Sequence, residues 1–186
     1  PQSSRNDDGG IQSPPSCQPR PAAPRMQPPV VNSRTAALRM LVVDYVDGPS
    51  EGFVDRLGDL GPCYFRLIAW DDVQDDRLFI AVAITLDAFD QAFAAAGQGG
   101  MPVSPSRRLV DYGRMEPASA RALHQLLQRC TARLCDEGAL VLARTPADVD
   151  QPPMPLRPDL ASMLQGALSR EQPDDLASWR AALAIH

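Results

Sequence analysis

Lysine is missing from this sequence, and all 18 of its basic residues are arginine. The absence removes a lysine nucleophile, a Schiff base and a phosphate-loop lysine from the chemistry open to the chain. A GC-rich bacterial, phage or viral genome accounts for the bias. The sharper alternative is selection against lysine modification in a protein that works inside a host cell.

Histidine is nearly missing as well. His124 is the one histidine inside the expected folded body and His186 ends the chain, so a two-histidine metal site is not available and a hydrolytic triad would have to rest on His124 alone. Helical spacing puts His124 off the centre of an apolar stripe, where it reads as a surface or half-buried structural residue before a catalytic base. Cysteine is sparse: Cys17 falls in a proline-rich tail, Cys63 in an expected strand, and Cys130 and Cys135 on different faces of one expected helix. No disulfide framework is visible, which points to a reducing compartment, and neither helical thiol has the spacing that would set it beside His124.

Other signatures are missing too. The sequence has no C-x-x-C. Residues 97–106 (GQGGMPVSPS) are glycine-rich but lack the Gly-Lys-Ser/Thr ending of a phosphate loop, so they read as a mobile loop. No apolar run approaches the roughly 20 residues of a membrane span. Net charge is −5 with a pI near 4.9, which opposes nucleic acid and anionic membranes as partners, and the arginines have few interleaved aromatics for a single-strand groove. The chain opens on Pro1 without Met, so the expectation is that it has been trimmed. The expected compartment is the cytoplasm, with secretion into a host cell as the second reading.

What is there is an architecture organised around residues 63–84, CYFRLIAWDDVQDDRLFIAVAI. In residues 77–84, Leu78, Ile80, Val82 and Ile84 fall on one face and Phe79, Ala81 and Ala83 on the other, the pattern of a strand buried on both sides. Residues 63–70 alternate less cleanly, as a strand with one face partly wet. The acidic hexapeptide between them carries turn formers. Upstream, residues 39–46 (RMLVVDYV) predict a first strand, Asp47-Gly48-Pro49-Ser50 a turn, and residues 52–57 a returning strand in preference to a glycine-crowded helix. Residues 39–84 then form a four-stranded antiparallel meander.

Thr85 predicts the cap of a short helix with Leu86, Phe89 and Phe93 at helical spacing, ended by Gly97. Residues 107–115 suggest an edge strand. The longest helix is expected from Pro117 to Gly138 with Leu123, Leu126, Leu127, Cys130 and Leu134 as its stripe, followed by a short buried strand, ALVLA, at 139–143. The expected fold class is α+β: an antiparallel β-meander packed by one long helix, with a C-terminal helical hairpin. Its divisions are a disordered Pro-rich tail at 1–35, an α+β domain at 36–145, a Pro-rich linker at 146–157 and the hairpin at 158–186. The hairpin carries the one internal repeat, Asp159-Leu160-Ala161-Ser162-Met163 recurring as Asp175-Leu176-Ala177-Ser178-Trp179.

Two functional readings follow. The first is a non-catalytic protein-interaction protein of binding, adaptor or inhibitor type. It uses Leu160, Met163, Leu176, Trp179 and Leu183 of the hairpin to dock on another protein or on itself, and it needs no cofactor. The second is a divalent-metal-dependent hydrolase or transferase on Asp71, Asp72, Asp75 and Asp76, whose carboxylates would have to converge within about 2.0–2.6 Å of the ion. Asp44 or Asp47 would complete the site, with His124 assisting. The four aspartates fail the EF-hand pattern, and a solvated turn is the blander reading. Asp44, Asp47 and Glu51 form a second acidic set around Gly48, where accepting backbone N–H bonds is the usual job of such residues.

Overall fold

The computed structural model describes residues 37–97, 101–104, 106–149 and 151–184, of which 101–104 by backbone alone. The tail expected at 1–35 lies outside the described residues, as do Cys17 and His186. Among the described residues the protein is mixed α+β, with one sheet and four α-helices. No helix among them is long and apolar enough to cross a membrane.

The two apolar runs around the acidic hexapeptide become β3 (Cys63–Asp71) and β4 (Asp76–Ala83), paired antiparallel. In β4 the alternation does what a two-sided strand requires: Leu78, Ile80 and Val82 enter one core cluster, Phe79 and Ala81 the other. The untidy alternation of β3 has a geometric cause. Its register steps from Leu67↔Phe79 to Ala69↔Leu78, so Ile68 is the extra residue of a bulge. The shift in phase puts Trp70 beside Arg77, whose guanidinium lies 4.9 Å from the ring centroid.

Ahead of these, β1 (Met40–Tyr45) pairs antiparallel with β2 (Pro49–Val54), and β2 with β3. After β4 comes α1 (Leu86–Gly97), capped as expected by Thr85, whose hydroxyl accepts the Ala88 N–H at 3.1 Å. Phe89, Ala92, Phe93 and Ala96 are its buried face.

Two expectations fail at the next stretch. The loop expected over 97–106 contains β5 (Met101–Ser104), and the expected edge strand is β6 (Arg107–Leu109), which is interior. It pairs parallel with β1 and antiparallel with β5. A parallel neighbour reached through a crossover leaves no local trace in sequence, so periodicity could not place β6.

The long helix α2 (Pro117–Glu137) starts with Pro117 in its first turn and the Glu116 carboxylate accepting the N–H groups of Ala118 and Ser119 at 2.9 and 3.1 Å. It buries Leu123, Leu127, Cys130 and Leu134. Gly138 follows because nothing larger fits: a Cβ there would meet the Leu134 carbonyl at 2.3 Å and Ile80 Cδ1 at 2.6 Å. The chain then runs straight into β7 (Ala139–Ala143), antiparallel to β4.

Residues 36–186 form a single compact unit, so the proline-rich stretch at 146–157 does not divide it. Within that stretch Ala147 and Val149 pack on the core, and β8 (Met154–Pro155) pairs with β7 at Leu140 and Ala139. The chain continues through α3 (Ala161–Leu168), β9 (Asp174–Asp175) and α4 (Leu176–Leu183), with β9 laid parallel to β3 at Ala69 and Trp70. The sheet order is β5-β6-β1-β2-β3-β4-β7-β8, with β9 beside β3 where β2 no longer reaches. One face, with Leu41, Phe53, Ile80 and Val82, lies under the helices; the other, with Met40, Phe65, Phe79 and Val141, lies under Leu38, Leu60, Ala147 and Val149 of loops and turns.

Candidate functional site

The acidic tip is a receptor for arginine. Asp71 Oδ1 accepts the N–H groups of Val73 and Gln74, each at 3.1 Å, which closes the β3–β4 turn. Asp71 Oδ2 and Asp76 Oδ2, carried by residues opposite each other in the ladder, accept Arg180 Nη1 and Nη2 from α4 at 3.1 and 2.6 Å. Asp75 accepts Arg77 Nε and Nη2 at 3.3 and 3.0 Å, and Asp72 is exposed. The four carboxylates thus do not converge on one point: Asp71 and Asp76 share Arg180, Asp75 takes Arg77, and Asp72 is exposed. No group of three or more His, Cys, Asp or Glu among the described residues is placed to hold a metal ion.

The five residues of the expected hairpin face inward. Leu160, Leu176 and Trp179 are 4%, 1% and 0% exposed, and Met163 and Leu183 are half-buried against the same core. The exposed ring expected of Trp179 is therefore not what the structure has. Its Nε1 points to Asp174 Oδ2 at 3.4 Å, and Asp174 also pairs with Arg170. The physical reason is the clasp made by β8, β9 and Arg180, three attachments that draw α3 and α4 onto the sheet.

The second acidic set holds hydroxyls. Ser50 donates to Asp44 at 2.9 Å, and the buried Tyr64 hydroxyl donates to Glu51 at 2.6 Å and lies 3.1 Å from Thr131 Oγ1. Burial first, and the Glu51 charge second, push the Tyr64 hydroxyl well above the usual phenol range, so it stays protonated. His124 is exposed on α2, where it lines an open depression with Tyr112, Arg121 and Gln128. Burial raises the Cys63 thiol to about 12 and also raises that of Cys130, which makes both poor nucleophiles.

Two further concavities lie against the sheet. The larger, about 1030 Å³, lies beside the C-terminal half of β7 and is lined by Leu142, Ala143, Asp148, Val149 and, from across, Asp76 and Arg180. Because β8 covers only Ala139 and Leu140, the outer edge of β7 from Val141 to Ala143 has no strand partner among the described residues.

The second, about 470 Å³, lies at the end of the sheet where the β1–β2 and β3–β4 turns meet. Leu109 of β6 and Arg144 after β7 both line it although four strands stand between β6 and β7, so the sheet curls toward its loop-covered face. Its floor is apolar (Val42, Pro49, Leu109), and Arg77, Arg107 and Arg144 converge on it. Arg77 is 4% exposed. It donates from Nη2 to the Asp47 carbonyl at 2.6 Å and fills the space left by Gly48, where a Cβ would come within 2.0 Å of Nη1.

Sequence reading placed none of these arginines in a site. The available signal was Arg77 itself, a cation opening a strand whose next six residues are apolar on both faces, since a buried charge requires dedicated partners. Compared with known proteins, the chain matches no family model, no curated protein and no solved structure.

Proposed function

We propose that this chain is a non-catalytic protein-interaction protein that accepts an extended segment of a partner protein on the uncovered half of β7. The observation that carries the reading is the groove of about 1030 Å³ beside that edge. An unpaired strand edge offers N–H and C=O groups that an added strand can satisfy, while flanking pockets select its side chains. Pro152, Pro153 and Pro155 blunt the neighbouring half of the edge, which restricts pairing to about three or four partner residues at roughly 3.3 Å each.

In this reading β1 to β4 are an antiparallel meander serving as platform, α2 is its principal cover, and α3 and α4 are a helical hairpin that forms the far wall through Arg180. The stripe of Leu160, Met163, Leu176, Trp179 and Leu183 holds that wall against the sheet, so the hairpin shapes the site from its backbone and charge. The metal-dependent reading draws no support from the tip, where Asp71 and Asp76 are engaged by Arg180 and Asp75 by Arg77.

A random-peptide library selected on the full chain tests the proposal. Selected peptides should slow amide exchange in residues 141–143 and should lose binding when alternate peptide nitrogens are methylated, because each methyl removes a ladder hydrogen bond. Peptides that bind without protecting β7, or that tolerate methylation at every position, would sink strand addition.

A further inference from the structure

The cleft at the turn end of the sheet has the composition of a ligand site, and Arg144 is the one lining residue it shares with the β7 groove. Its volume of about 470 Å³ falls in the range of small-molecule sites, roughly 300–1,000 Å³, and its lining matches their usual form of an apolar floor with a few convergent polar groups. Three guanidiniums face two carboxylates, Asp47 and Asp75, across it.

The arginines are not equivalent. Arg77 is held on several sides: its Nε and Nη2 are committed to Asp75 and to the Asp47 carbonyl, its Cζ lies over the Trp70 ring, and its Nη1 has no hydrogen-bond partner. A buried guanidinium with an unmet N–H group is costly, and an acceptor arriving in the cleft relieves that cost. Arg144 is exposed at the rim and has no ion-pair or hydrogen-bond partner among the described residues. Asp75 already balances Arg77, which leaves the single charge of Arg144 to face an incoming group, a match for a monoanion before a dianion. Tyr45, 61% exposed, stands at the same rim and offers a ring to an apolar body.

We propose that this cleft binds a carboxylate carried on an apolar body, with the carboxylate between Arg144 and Arg77 and the body against Val42, Leu109 and Tyr45. Such a group comes either from a free aliphatic acid or from the C-terminus of an apolar peptide. Arg144 also lines the β7 groove, whereas Val42, Tyr45, Arg77 and Leu109 belong to this cleft and not to that groove.

The test is calorimetric titration of the full chain with two matched pairs: decanoate against decanol, and acetyl-Leu-Phe with a free carboxylate against its amide. At least one acid should saturate a single site below about 1 mM and bind at least about tenfold tighter than its neutral counterpart. Which acid does so identifies the source. Arg144→Gln, an exposed change that leaves the core untouched, should weaken the acid by about tenfold and leave the neutral compound unchanged. Tyr45→Ala should weaken both. The proposal is overturned if neither acid saturates, if acid and neutral forms bind equally, or if Arg144→Gln leaves the acid's affinity where it was.

Discussion

On one face of the sheet Leu41, Phe53, Ile80 and Val82 lie under four helices; on the other, Met40, Phe65, Phe79 and Val141 lie under turns and the proline-containing segment after β7. Both faces are dry at their centres, but their margins differ. A helix covers a sheet with a continuous stripe, and along the helical face the margin polar groups find fixed partners: Tyr64 with Glu51, Arg180 with Asp71 and Asp76. Loops cover unevenly. On their side the margin opens into the arginine-lined cleft, and the β7 edge stays bare next to a groove. Helices here do the work of stability, and the gaps left by loops hold the two surfaces proposed for recognition.

The comparison is broken most severely at Ile80, which is fully buried on the helical face and touches the end of α2. Ile80→Asp should unfold the domain, because an unpaired buried charge costs several kcal/mol against a total of about 5–15. A soluble mutant that still melts cooperatively would contradict the assignment of β4 as a strand buried on both faces.

Trp179→Ala comes next. If α3 and α4 belong to the helical core, denaturant unfolding should show a loss of about 3–5 kcal/mol; a loss below about 1 kcal/mol would place them outside it.

The loop-covered face has its own probe in Cys63, fully buried there, with its thiol donating to the Gly61 carbonyl at 3.2 Å and raised to about 12. Because the folded state disfavours the thiolate, the thiol's contribution is complete below pH 9 and is lost as pH climbs toward 12, to the extent of at most about 4 kcal/mol. The stability difference between wild type and Cys63→Ala, followed by chemical denaturation from pH 8 to 11, should therefore fall steadily. A difference independent of pH would show that water reaches the thiol and that the loop cover is open.

The smallest effect is at the hairpin's clasp. Arg180→Gln leaves Asp71 and Asp76 facing each other across the ladder and should cost about 1 kcal/mol at low salt, less at 1 M salt as screening grows. A cost unaffected by salt would mean that Arg180 acts by packing.

The mixed α+β class, the two-sided strand at 77–84, the cap and end of α1, and the start, stripe and stop of α2 were legible because each is written in local periodicity and capping chemistry. What sequence could not show is whatever depends on distant partners. β6 reads as a weak apolar run until β1 lies beside it, and nothing within residues 71–76 announces that Arg180, over a hundred positions away, will take two of the four carboxylates. The repeat at 159–163 and 175–179 correctly marked helical segments with apolar stripes, yet a stripe alone does not say whether its cover is the chain's own sheet or a partner. The arginine cleft was hardest to see, since it is assembled from the ends of five strands that the sequence keeps apart.

The central claim is that α3 and α4 are spent on the protein's own core. Acrylamide quenching of Trp179 fluorescence in a Trp70→Phe background, at micromolar concentration, measures this directly. The structure predicts a shielded, blue-shifted ring with quenching close to that of a fully buried tryptophan, in a monodisperse sample. Strong quenching of a red-shifted ring would contradict it and return Leu176, Trp179 and Leu183 to the role of an exposed docking patch.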